Sequence, residues 1–130
     1  MTEIDDQTVE YILAAQTWFE DLKQVAAQLA GLLVLEAAGS KSNAAPDHPM
    51  RLSAERVYRS AMDGIRGVRV PARARRHHDH LLAASGKLGD ALGTKGDPLV
   101  FLESAYAELR SASRTLPGFR MISFEHGCCA

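Results

Sequence analysis

The chain has 130 residues, of which 46% are hydrophobic, 24% are charged and 6% are aromatic. This is the length of one domain with enough apolar material for a core, so the composition excludes an intrinsically disordered chain. The formal net charge of −1 excludes a strong overall attraction to nucleic acid or anionic membranes, and two cysteines are too few for a disulfide framework.

The first predicted element is a long helix over residues 6–38. Its hydrophobic residues recur at alternating spacings of three and four, which is typical of a helix that packs along one face. The members of this series are Ile12, Ala15, Phe19, Leu22, Ala26, Leu29 and Leu33. A second series recurs every seven residues beside it, at Tyr11, Trp18, Val25 and Leu32. So broad an apolar surface predicts a bundle core, and the wholly apolar run 32–35 predicts a further contact, such as a dimer interface.

Residues 39–51 are predicted to form a loop, because Pro46 and Pro49 prevent the continuation of a helix. A second, short helix is expected to begin at Ser53, whose hydroxyl group can accept a hydrogen bond from the first helical turn. The residues of this helix that are expected to face the core are Val57, Ala61 and Ile65.

A third helix is predicted from Pro71 to about Leu92, because the proline ring suits the first position of a helix. Its inward residues are expected to be Leu81, Ala84, Leu88 and Leu92. A fourth helix is predicted to begin at Asp97 and Pro98 and to end before Pro117. Its inward series is expected to be Leu99, Leu102, Tyr106, Leu109, Ser113 and Leu116.

Four amphipathic helices without strand-like alternation predict an all-α fold, a four-helix bundle-like single domain over residues 1–118. Residues 119–130 are expected to form an extended C-terminal tail that packs on the bundle through apolar side chains. The acidic first residues do not resemble a secretory signal, and no apolar run is long enough to cross a bilayer. A cytoplasmic protein without membrane attachment is therefore expected.

Charge is distributed unevenly along the chain. Residues 1–38 carry seven acids and one lysine, a net charge of −6, whereas residues 51–80 carry eight arginines and three acids, a net charge of +5. Two such segments can neutralise each other inside one bundle. A basic patch can also contact phosphate groups, but no nucleic-acid-binding motif or aromatic platform accompanies it, so nucleic acid is not the expected partner. The patch consists of Arg66, Arg69, Arg73, Arg75 and Arg76.

Histidines near the start of the third helix form the first candidate metal site. His77 and His80 are three residues apart and therefore lie on one helical face, where two imidazoles can share a transition metal such as zinc. The alternative is that they are polar residues at a helix entrance, hydrogen-bonded to their neighbours. The Glu-x-x-His motif of di-iron bundles does not occur in the sequence.

The C-terminal tail supplies the second candidate site, with His126, Cys128 and Cys129 within four residues. An imidazole and two thiolates are good ligands for soft metals, and neighbouring thiols can also react with a partner's disulfide. The alternative is a frayed tail that carries two exposed thiols.

No nucleophile stands beside a base and no pair of carboxylates lies on an inward face, so no catalytic residues are predicted. The expected function is self-association or protein–protein interaction, with the basic patch giving electrostatic selectivity. The expected interface residues are Tyr11, Trp18, Val25, Leu32 and Leu35. The alternative is a metal-binding or thiol-redox responsive protein that combines the C-terminal His-Gly-Cys-Cys segment with the histidines of the third helix.

Overall fold

The computed structural model describes residues 6–39, 48–93 and 96–116. All regular secondary structure in these ranges is helical, which confirms the predicted all-α bundle with a long N-terminal helix. A short 3₁₀ turn, Ala72–Ala74, precedes the third α-helix. The four α-helices are α1 (Asp6–Ala37), α2 (Pro49–Gly67), α3 (Arg75–Leu92) and α4 (Pro98–Thr115).

Helix α1 is the spine of the bundle, because it contacts the three other α-helices. Its 32 residues span about 48 Å, roughly twice the reach of α2, α3 or α4. Helix α2 runs antiparallel to it, and Gln28 donates a hydrogen bond of 3.1 Å to the hydroxyl of Ser53 near the start of α2. Helices α3 and α4 form a second antiparallel pair, which packs across the first part of α1.

Alanine brings the helices close together, since its small side chain lets two backbones approach. Each of the four helices contributes alanines that are fully buried, and leucine, isoleucine and valine fill the space between them. Such close packing explains how a chain with few aromatic residues builds a continuous core. The fully buried alanines on the helices are Ala15, Ala26, Ala54, Ala61, Ala84, Ala105 and Ala112.

The inward face of α4 differs from the predicted series. Leu99 and Tyr106 were expected in the core but are 53% and 40% exposed. The residues that face the core are Leu102, Ala105, Leu109, Ala112 and Leu116. Helix α4 packs mainly on α3, and the small alanines allow that approach, so the larger Tyr106 lies outside the contact. On α3 the predicted Leu81, Ala84 and Leu88 are buried, with Ala91 completing the series.

The start of α2 also differs from the prediction, because the helix begins four residues before Ser53. The side chain of His48 accepts a hydrogen bond of 3.1 Å from the backbone N–H of Met50 and so caps the helix. Pro49 occupies the first helical position, where its ring costs no hydrogen bond. Pro49, which was expected to lie within the loop, is therefore the first residue of the helix.

The remaining helix starts are close to the predicted ones. Pro71 precedes the 3₁₀ turn, and α3 itself begins at Arg75. Asp97 accepts a hydrogen bond of 3.0 Å from the N–H of Leu99, so the predicted cap of α4 is confirmed. Within the described ranges, none of the helices combines the length and apolar composition needed to cross a membrane. The predicted C-terminal tail lies outside the described residues.

Candidate functional site

A buried polar cluster lies where the start of α3 meets the first part of α1. Tyr11 is on the inward flank of α1, and His77 lies one helical turn before the core residue Leu81 of α3. The hydroxyl oxygen of Tyr11 and Nδ1 of His77 are 2.9 Å apart and share a hydrogen bond inside the core. The two rings meet edge to face with their centroids 5.5 Å apart.

Burial keeps both members of this pair uncharged at neutral pH. The loss of solvation raises the pKa of Tyr11, with a further contribution from the negative charge of Asp79. Burial also lowers the pKa of His77 to about 4, and the neighbouring His78 and His80 act in the same direction. The Tyr11–His77 pair is therefore a neutral hydrogen-bonded contact.

His78 is the third ring of the cluster and is 6% exposed. Its ring centroid lies 6.2 Å from that of Tyr11. Burial lowers its pKa, and the positive charge of Arg75 adds to the effect. Among the described residues, no group forms a hydrogen bond with its buried Nδ1 atom.

The two residues of the predicted metal pair, His77 and His80, bond to different helices. Nδ1 of His80 lies 2.7 Å from a carboxylate oxygen of Glu108 on α4, whereas His77 bonds to α1. The described part of the chain has no group of three histidine, cysteine or acidic side chains placed to hold a metal ion. His126, Cys128 and Cys129 lie outside the described residues.

A cleft of about 400 Å³ opens beside the Tyr11 ring, between the first turns of α1 and the connection from α2 to α3. One wall belongs to α1 and the other to residues 68–71. Most of the lining is apolar, and one acidic and one basic side chain, Glu10 and Arg69, also lie on it. The lining residues are Gln7, Glu10, Tyr11, Ala14, Val68, Arg69, Val70 and Pro71.

The five arginines of the predicted basic patch are all exposed, and together they form what is here termed the arginine surface (Arg66, Arg69, Arg73, Arg75 and Arg76). Within the described ranges, no salt bridge neutralises Arg66, Arg69, Arg75 or Arg76. Arg75 and Arg76 lie in the first turn of α3, where the helix dipole disfavours positive charge. At this position, the two charges do not stabilise the helix.

Most of the predicted interface residues on α1 pack against other helices of the same chain. Tyr11, Val25 and Leu32 are buried in the core, which corrects their assignment as partner-binding residues. The reason is that α2, α3 and α4 cover both the main apolar series and the flank beside it. Trp18 is partly buried against Gly64 of α2, where a Cβ atom would overlap the indole ring.

Other apolar residues of α1 are exposed instead. Leu35, one of the predicted interface residues, is 38% exposed and its neighbour Val34 is 68% exposed, so the described residues do not cover the end of α1. Near the start of the helix, Val9 and Leu13 are 39% and 56% exposed. The sequence contains a signal for this second pair. Val9 and Leu13 are four residues apart, they belong to neither apolar series, and the other residues on their helical face are acidic or polar.

No protein-family model, no curated protein and no solved structure matches this chain. Its function is therefore inferred from the placement of its own residues.

Proposed function

We propose that this chain is a cytoplasmic protein that works by self-association, in which α1 of one copy docks on the arginine surface of a second copy. The observation that carries the proposal is the exposed pair Val9 and Leu13, which lie one helical turn apart near the start of α1. They form the centre of one exposed face, here termed the α1 stripe: Asp6, Val9, Leu13, Thr17 and Glu20.

Burial of the apolar centre of the stripe supplies free energy for association. Covering a valine or leucine side chain stabilises a complex by roughly 1.5–3 kcal/mol when the whole side chain leaves water. Leu13 and Val9 are 56% and 39% exposed in the single chain, so only part of this free energy is still available for association. Small apolar centres surrounded by polar residues are typical of protein interfaces.

The charges around the stripe favour a second copy of this chain as the partner. The stripe carries the acids Asp6 and Glu20, and the arginine surface carries Arg66, Arg75 and Arg76 without ion pairs in the described part of the chain. A two-fold dimer brings each acidic stripe onto the arginine surface of the other copy, so the same contact forms twice. Charge complementarity of this kind selects the partner and its orientation.

The test compares two leucines of nearly equal exposure on different helices. Leu13→Glu places a negative charge in the middle of the stripe, whereas Leu99→Glu places it on α4, where the side chain is 53% exposed. Sedimentation velocity is expected to show a dimer for the wild type and for Leu99→Glu, and a monomer for Leu13→Glu. Circular dichroism confirms that both variants fold.

Equal dimerisation of the two variants contradicts the proposed contact. A wild type that stays monomeric while binding a short DNA or RNA duplex contradicts self-association and assigns the arginine surface to nucleic acid.

A further inference from the structure

The cleft beside Tyr11 brings two opposite charges together without joining them. The carboxylate of Glu10 and the guanidinium group of Arg69 both line it, yet they form no salt bridge with each other. Within the described residues neither has another ion-pair partner. Two unpaired charges of opposite sign in one concave site leave room for a molecule between them.

This arrangement selects against ligands with a single charge. A simple anion that approaches Arg69 meets the repulsion of Glu10, and a simple cation that approaches Glu10 meets the repulsion of Arg69. A zwitterion satisfies both groups at once, since its carboxylate can accept hydrogen bonds from the guanidinium group and its ammonium group can donate to the carboxylate.

Most of the other residues that line the cleft are apolar and favour a ligand with an apolar side chain. Its apolar lining residues are Ala14, Val68, Val70 and Pro71, together with Tyr11. The hydroxyl group of Tyr11 is directed to His77, and this pair is uncharged at neutral pH, so Glu10 and Arg69 are the only ionised groups among the lining residues. The volume of about 400 Å³ lies within the range of small-molecule sites.

We propose that this cleft binds a free α-amino acid with an apolar side chain, its carboxylate on Arg69, its ammonium group on Glu10 and its side chain against Tyr11. The cleft shares Arg69 with the arginine surface, whereas Val9 and Leu13 of the α1 stripe do not line it.

The first test is a titration with L-phenylalanine, followed by isothermal titration calorimetry and by the fluorescence of Trp18. Trp18 is the only tryptophan of the chain, and its ring centroid lies 6.5 Å from that of Tyr11. Saturable binding is expected. The matched ligands 3-phenylpropanoate, which lacks the ammonium group, and 2-phenylethylamine, which lacks the carboxylate, are expected to bind at least about tenfold more weakly.

The second test changes the two charged residues. Arg69→Gln and Glu10→Gln are each expected to weaken L-phenylalanine binding at least about tenfold and to reduce the preference over one of the two analogues. Arg110→Gln on α4 is the matched control, because Arg110 is also exposed and, within the described residues, forms no salt bridge and does not line the cleft. It is expected to leave the affinity unchanged.

Three results overturn the proposal. They are the absence of saturable L-phenylalanine binding, equal binding of L-phenylalanine and either analogue, and an equal effect of the control and cleft variants.

Discussion

The hydroxyl group of Tyr11 and the imidazole of His77 form a polar contact inside an otherwise apolar core. A buried polar group costs free energy unless it is hydrogen-bonded, and here each side chain supplies a partner for the other at 2.9 Å. Because the two residues are 66 positions apart, the contact also fixes where the start of α3 meets α1.

Removing the Tyr11 hydroxyl should therefore destabilise the fold. Tyr11→Phe is expected to lower the free energy of unfolding by about 1–3 kcal/mol, because it removes this hydrogen bond from the core. Tyr106→Phe is the matched control, since Tyr106 is exposed on α4 and its hydroxyl forms no hydrogen bond within the described residues. Urea unfolding measures both values, and equal stabilities of the two variants contradict the role given to the contact.

The lowered pKa of His77 predicts that the fold loses stability in mild acid. Its pKa is about 4 in the folded chain against 6.5 for the free side chain, so the unfolded chain binds a proton first as the pH falls. The stability is fully present above about pH 6.5, declines as the pH falls towards 4 and levels off below it, by about 3 kcal/mol in total.

Urea unfolding between pH 7 and pH 5 detects the decline, and NMR of the His77 ring tests its cause. The ring signals are expected to stay constant down to about pH 5. A His77 ring that titrates near its ordinary pKa in the folded protein contradicts this account.

At the level of the helices, the contact between α1 and α2 depends on a glycine. The indole ring of Trp18 occupies the place where a Cβ atom at Gly64 would stand. At Gly86, in the middle of α3, a Cβ atom would meet open space. An alanine there therefore changes only the helix propensity, whereas an alanine at Gly64 also changes the packing.

Two alanine substitutions should therefore act in opposite directions. Gly86→Ala is expected to raise the free energy of unfolding by about 0.5–1 kcal/mol, because alanine favours a helix over glycine. Gly64→Ala is expected to lower it by about 1–3 kcal/mol, because Trp18 must move. Urea denaturation of both variants measures the difference, and a stabilising effect at both positions contradicts the packing of Trp18 on Gly64.

The number of helices and most of their bounds could be predicted from the spacing of apolar residues, since that spacing is a local property. The inward face of α4 could not, because Ala105 and Ala112 are buried by the close approach of α3, which only the tertiary arrangement decides. The start of α2 was placed too late, because the imidazole of His48 caps a helix that a hydroxyl group was expected to cap.

The candidate site shows the same limit. His77 lies one helical turn before the core residue Leu81, but its bond to Tyr11 joins distant parts of the chain, so no local pattern in the sequence predicts that bond. The cleft likewise combines residues 7–14 with residues 68–71. The flank residues Tyr11, Val25 and Leu32 were assigned to a partner interface. The spacing of apolar residues shows that a helix face is buried, but it does not show whether the same chain or another chain buries it.

At the level of the whole molecule, α1 is much longer than the helices that cover it, and its first part presents the α1 stripe to solvent. The chain is nearly neutral overall, yet the α1 stripe and Arg66, Arg75 and Arg76 of the arginine surface are all exposed, and among the described residues no salt bridge joins these three arginines to the stripe. The proposed association of two copies would pair these surfaces and would also cover Val9 and Leu13. Self-association is the central claim of this account.

The most direct test is the molar mass of the wild-type protein, measured by sedimentation equilibrium over a range of protein and salt concentrations. Self-association predicts a reversible rise from the mass of one chain to that of two as the protein concentration increases, and a shift back towards one chain as salt screens the charge contact. A mass of one chain at all protein concentrations up to about 1 mM would contradict it.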